Sequence, residues 1–235
     1  MSDTTDTMED SNEQADSAAI ELPVRLDILS DPICPWCFIG KTYLDRALAQ
    51  LQDHPFAIEW HPFQLNPDMP AGGMDRREYL ETKFGGQKAA VDAYMPIVEQ
   101  ASAAGIEIDF EAMERTPNTL DAHRLIHWAG IEHVQTEAVD ALFKAYFQQG
   151  RDIGEAEVLA DIADGIGMDA SMVSRLLASD ADRDEIRHRD AHSRKMGVTS
   201  VPTFIVAGKH AVPGAQPPDL WLQVIGEIKA QIPVA

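Results

Sequence analysis

Apolar, β-branched residues alternate along Val24, Leu26 and Ile28, and beyond Pro35 the spacing changes to three and four (Leu44, Ala47, Leu48, Leu51). The switch of period predicts a strand over 24–30 and a helix over 35–52. Phe56, Ile58 and Trp60 alternate again, which predicts a second strand over 56–64. A helix that joins two neighbouring parallel strands is a βαβ unit, expected right-handed. The run Asn66-Pro-Asp-Met-Pro-Ala-Gly-Gly73 is a loop by composition.

From Asp75 to Asp180 the pattern is helical. Helices are predicted over 76–83, closed by Gly85-Gly86, and over 87–104, closed by Gly105 and with a kink expected at Pro96. Ile106, Ile108 and Phe110 read as an extended link. Further helices are predicted over 120–130, 134–149, 155–164 and 170–178, with Asn118 or Thr119 capping the first of them. A strongly charged helix, most of it solvated, is expected over 182–196. Val-Pro-Thr-Phe-Ile-Val206 then gives a strand over 203–206, Ala207-Gly-Lys209 a turn, and 210–212 a second strand, together a hairpin. Leu220, Val224 and Ile228 mark a last helix. Residues 1–20 are acidic with few large apolar groups and are expected to form a disordered tail.

The candidate chemistry sits at the first strand-to-helix junction. Cys34 and Cys37 are the only two cysteines of 235 residues. Residues i and i+3 of a helix share a face, close enough for a disulfide with Cα atoms about 5–6 Å apart. Helix N-termini carry unpaired N–H groups and the positive end of the dipole, and thiols of C-x-x-C sites there titrate at about 3.5–7. Pro35 suits the first helical position, where its missing N–H costs nothing. Cys34 is expected to be the more exposed nucleophile and Cys37 the buried resolving thiol. Half a zinc site, completed by His123/His127 or His188/His192, is an alternative. However, zinc fingers hold their two ligand pairs about 12–20 residues apart, and these histidines lie far downstream. Two core cysteines without function are the remaining alternative. His61 and Gln64, at the end of the second strand, either approach the thiols or are ordinary strand-end polar residues. His123 and His127 on their helix are read as structural rather than as general bases.

Composition narrows the class further. The formal charge of −20 leaves no basic stripe to neutralise phosphates, which argues against nucleic acid and against anionic membranes. No apolar run approaches the ~18–20 residues of a membrane span. The N-terminus lacks the basic and apolar regions of a secretory signal, so a cytoplasmic location is expected, where a lone C-x-x-C is catalytic more often than structural. The acidity fits either a salt-rich cytoplasm or an ordinary acidic protein.

Val201-Pro202 directly before a strand is the second informative feature, since a proline cannot donate to a sheet ladder. On local grounds the trans isomer is favoured, because cis is adopted by about 5–6% of X-Pro bonds. Taken together, strand, Cys-Pro-Trp-Cys on a helix, βαβ unit, Val-Pro, hairpin and final helix resemble the thioredoxin fold, an α/β fold, with a large all-helical insertion of the DsbA-like kind. Asp31–Lys41, Pro62–Pro70, Arg77–Gly86, Asn118–Leu125, Gly197–Thr203 and Gly214–Pro218 are similar to the FrnE-type members of that branch. The resemblance implies a thioredoxin-like domain formed by 21–74 and 182–235, and a helical insertion over 75–181. It implies thiol–disulfide oxidoreductase or isomerase chemistry, with Cys34 attacking, Cys37 resolving and Pro202 cis beside them. Pro35 and Trp36 would tune the thiols, and the backbone of Val201 would pair with substrate. The implied partners are disulfide- or dithiol-containing proteins or small molecules, glutathione among them, with no metal or other cofactor. The branch also resembles kappa-class glutathione transferases and 2-hydroxychromene-2-carboxylate isomerases. Those carry a serine where Cys34 stands and lack the second cysteine.

Overall fold

A computed structural model describes residues 23–231, so the tail expected over 1–20 lies outside the described residues. Strand β1 (Val24–Ser30) is buried at every position but Arg25, Asp27 and Ser30 included, so the alternation of its apolar residues leaves neither face open to solvent. Helix α1 (Pro35–Leu48) returns the chain to β2 (Phe56–Pro62), which pairs parallel with β1 from Val24 opposite Phe56 to Ser30 opposite Pro62. The helix stops at Leu48 rather than at 52. Gln50 and Leu51 donate to Ala47 and Leu48, so the chain tightens into i→i+3 turns before Pro55. The strand stops at Pro62 rather than at 64, because carboxylates take the next amides: Gln64 N–H donates to Asp190 and Leu65 N–H to Asp31.

The chain then leaves the sheet. It forms β3 (Met74–Asp75), α2 (Arg76–Phe84), α3 (Gln87–Ala103), β4 (Arg115–Thr116), α4 (Leu120–Ile131) and α5 (Gln135–Gln149). Next come α6 (Ala156–Gly165), α7 (Ala170–Leu177) and α8 (Arg183–Lys195). Strands β5 (Thr203–Val206) and β6 (His210–Pro213) complete the sheet in the order β2-β1-β5-β6, with β5 antiparallel to β1, and α9 (Pro218–Gln231) closes the fold. The hairpin turn needs positive φ at Gly208. The small ladder of β3 on β4 was not expected from the sequence. Residues 106–110 form no strand, as read. Among the described residues no helix is long and apolar enough to cross a membrane.

Two aromatic clusters fix α1. Phe38 stacks on Phe143 and Phe147 of α5 at 5.2 and 5.8 Å, tying the cysteine helix to the helical layer. Across the sheet, Phe204 meets Trp221 of α9 at 4.7 Å. Arg124, fully buried on α4, donates to the carbonyls of Leu176, Leu177, Ser179 and Ala181, so one guanidinium satisfies the last turn of α7 and the bend after it. Gln135 binds the edge of β2 with its amide: Trp60 N–H donates to Oε1 at 2.9 Å and Nε2 donates to the Trp60 carbonyl at 3.2 Å. Helix α8 is mostly solvated, as expected, yet it buries Ile186, Asp190 and Ser193.

Candidate active site

Cys34 is the N-cap of α1, extended at φ −88° and ψ 114°, with Pro35 in the first turn. Its N–H donates to the Asp31 carbonyl at 2.9 Å, and its own carbonyl accepts the N–H groups of Cys37 and Phe38. No side chain caps this helix end and no acid sits in its first turn. Both cysteines are free thiols. Cys37 is buried beside Cys34; burial first, and then the neighbouring thiol, push its pKa well above the ordinary range, against the pull of the Ser30 hydroxyl and the Asp31 backbone.

The contrast in exposure expected between the two thiols is absent. Cys34 is 3% exposed and Cys37 1%. The Cys34 thiol points at the Val201 carbonyl, with Sγ to O 3.7 Å, so the loop after α8 covers it. Val201–Pro202 is cis. Pro202 is held in place on two sides. Its carbonyl accepts the Gly214 N–H at 2.8 Å, and a Cβ at Gly40 would lie 3.0 Å from its Cγ. Glycine at position 40 lets α1 approach that loop. Cys34, Cys37, Val201 and Pro202, far apart in sequence, therefore meet at the N-terminus of α1. Trp36 is partly buried against the core.

Behind the thiols lies a polar layer that sequence reasoning missed or set aside. Asp31 is 0% exposed; its carboxylate accepts the Leu65 N–H at 2.6 Å and the Ile33 N–H at 3.4 Å. His123 Nε2 stands 3.8 Å from Asp31 Oδ1, and the Thr119 hydroxyl faces the same carboxylate. Burial raises the Asp31 pKa to about 7 despite these hydrogen bonds, with nearby Asp190 adding to the rise. Burial lowers His123 to about 4; Asp190 opposes that shift and Arg189 adds to it. Asp190 accepts the Gln64 N–H at 2.7 Å and pairs with Arg194 Nε at 2.9 Å. Arg194 in turn binds the Gln64 carbonyl and lies 4.1 Å from the Phe63 ring centroid. Gln64 Nε2 donates to Asn118 and Thr119 at 3.4 Å each. Thr119 is the N-cap of α4 without a side-chain cap bond, and Asn118 just before it accepts the Leu120 N–H at 2.9 Å.

His61 turns elsewhere. Its Nε2 meets Asp27 at 2.7 Å and its Nδ1 accepts from Arg189 at 2.9 Å. Asp27, Glu59 and His61 are the one group of three metal-capable side chains that converge among the described residues. Arg25 already binds Asp27, and Arg189 binds both Glu59 and His61, so two guanidinium ions occupy the place a cation would need. His127 is the other partner of Arg189, at 3.2 Å.

A cysteine pair at the head of a helix beside a cis-proline loop, on a mixed sheet with a helical layer, defines a thioredoxin-fold protein of the DsbA-like kind. Residues 25–226 match the model of the DSBA-like thioredoxin domain, and the chain belongs to this oxidoreductase family. It is similar to the Bacillus subtilis (strain 168) protein named Uncharacterized protein YwbO, 28% identical over 207 residues, which are 88% of this chain and 98% of that one. The crystal structure of a probable DsbA oxidoreductase, SCO1869 from Streptomyces coelicolor, superposes with a TM-score of 0.79 at 28% identity, covering 90% of this chain and 92% of that one. A 2-hydroxychromene-2-carboxylate isomerase shares the fold, with a TM-score of 0.66 at 18% identity over 88% of this chain and 97% of its own.

Proposed function

We propose that this protein is a thiol–disulfide oxidoreductase or isomerase working through the Cys34-Pro-Trp-Cys37 pair. The observation that carries the reading is the placement of the Cys34 sulfur 3.7 Å from the Val201 carbonyl with Cys37 one turn inside. Cys34 attacks a substrate disulfide, one substrate sulfur leaves as thiolate, and a mixed disulfide forms. Cys37, once deprotonated, attacks the Cys34 sulfur, closes the Cys34–Cys37 disulfide and expels the second substrate thiolate. The reverse sequence passes a disulfide to a dithiol. Substrate runs alongside Val201, whose backbone pairs with it as an added strand does, next to Pro202. Pro35 and Trp36 tune the reactivity of the pair. Residues 21–74 and 182–235 act as the thioredoxin-like platform and 75–181 as the helical insertion. The substrate is a disulfide- or dithiol-containing protein or small molecule, glutathione among the candidates, and the site of action is the cytoplasm.

The test is turnover of an insulin-type disulfide. Cys34→Ser is expected to abolish it, and Cys37→Ser to accumulate mixed disulfides visible by mass spectrometry. Equal activity in both variants overturns the reading. A glutathione-dependent isomerase or transferase is the second reading, favoured by the shared isomerase fold. It requires saturation by glutathione and activity that survives Cys37→Ser.

A further inference from the structure

Away from the cysteines, α2, α3 and residues 110–114 enclose an open groove of about 840 Å³, with Leu80, Tyr94, Phe110 and Met113 among the residues lining it. Helix α3 is apolar on two faces. Its inner face buries Ala90, Ile97 and Ala101 in the ordinary way. Its outer face presents Val91, Met95 and Val98, at i, i+4 and i+7, to this groove, 55%, 55% and 46% exposed. Nothing in the packing of the described residues accounts for that stripe. Leaving it in water forgoes the burial that apolar side chains otherwise gain. Spacing of one residue per helical turn is the pattern by which one helix receives another. An unbranched methionine at the centre adapts to the ridges of a partner.

Charge selects the partner. Four carboxylates line the groove (Asp75, Glu81, Glu111, Glu114) against Arg76 and Arg77. Arg76 is committed to the interior: it is 8% exposed, donates to the Tyr94 and Tyr146 hydroxyls at 2.9 and 3.1 Å, and lies 5.5 Å from the Tyr94 ring centroid. Arg77 alone is left against the four acids, on a chain whose formal charge is −20. That balance repels anionic lipid and nucleic acid and attracts a cationic protein segment.

We propose that the α2–α3 groove docks a basic amphipathic helix of a partner protein, its apolar stripe on Val91, Met95 and Val98 and its Lys or Arg side chains against Glu81, Glu111 and Glu114. The surface is separate from the cysteines, so the proposal stands whether or not the thiol chemistry does.

The probe is a fluorescein-labelled synthetic Leu/Lys amphipathic helix, titrated by anisotropy into the full-length protein. A scrambled Leu/Lys peptide and a Leu/Glu helix serve as controls. Wild type is expected to bind the Leu/Lys helix saturably, with hydrogen-exchange protection concentrated in 76–103 and 110–114. Met95→Glu and Val91→Glu are expected to weaken binding at least about tenfold. An added carboxylate would strengthen a purely electrostatic attraction, so weakening by Met95→Glu reports apolar docking. Met172→Glu, at an exposed methionine of α7 outside the groove, is expected to bind as wild type does. Four results overturn the proposal: no binding, equal binding of the scrambled peptide, retained affinity in Met95→Glu, or protection elsewhere. Self-association of the wild type that Met95→Glu abolishes in sedimentation would do so as well, because the face would then belong to a second copy.

Discussion

Two buried carboxylates grip successive peptide groups of the same short loop. Asp190 takes the Gln64 N–H and is paired with Arg194, a guanidinium that also binds the loop carbonyl and covers Phe63. Asp31 takes the Leu65 N–H one residue further on, with N–H groups, a hydroxyl and a neutral imidazole around it, no cation paired to it, and the charge of Asp190 nearby. Hydrogen bonds alone do not offset the loss of water around a charge, so the Asp31 carboxyl is carried up to about 7. One lock is an ion pair and the other is a titrating group directly behind the cysteines.

Breaking the ion-paired lock is expected to have the largest effect. Asp190→Ala leaves Arg194 and the Gln64 N–H without their acceptor, and a loss of up to about 5 kcal/mol is expected in urea denaturation at pH 7. Asp31→Asn acts through pH. The folded carboxyl titrates near 7 against 3.8 for a free one, so its contribution is fully present below pH 3.8 and lost as pH rises through 7. Relative to Asp31→Asn, wild type should lose on the order of 4 kcal/mol between pH 4 and pH 8. A constant difference between the two melting profiles would refute this. His123 carries the opposite sign. Its folded pKa of about 4 lies below the free value of 6.5, so stability falls as pH drops from 6.5 towards 4. His123→Gln should remove that loss, on the order of 3 kcal/mol. The two variants should therefore tilt the stability profile in opposite directions between pH 4 and 6.5, with wild type the flattest of the three. Gly40→Ala, which sets a methyl 3.0 Å from Pro202 Cγ, is the mildest change: about 1–2 kcal/mol, with altered alkylation of Cys34.

Local chemistry made much of the fold legible. The bounds of β1 follow from a period-2 run and those of β5 from an apolar run set between Pro202 and the turn at 207–209, and the helices end within a few residues of their glycines and caps. The cysteine pair and Val201-Pro202 announce themselves because proline and cysteine are conspicuous in one dimension. The polar layer behind them does not. Gln64 and Asp190 lie 126 residues apart, and α8 reads as a solvated helix because only one of its faces carries the clamp. His123 reads as structural because a neutral buried histidine and a buried acid reveal each other only in three dimensions. The burial of Cys34 is invisible in the sequence for the same reason, since its cover comes from Val201. A two-residue ladder such as β3 on β4 has no period to detect.

The amide of Gln135 has one more consequence. An outermost strand with unsatisfied peptide groups invites another molecule to continue the sheet, and such growth is a route to aggregation. By filling both peptide groups of Trp60, this single carboxamide interrupts the ribbon of free groups midway along the strand. On the β2 side of the sheet, one neutral side chain thus stands in the way of lateral stacking.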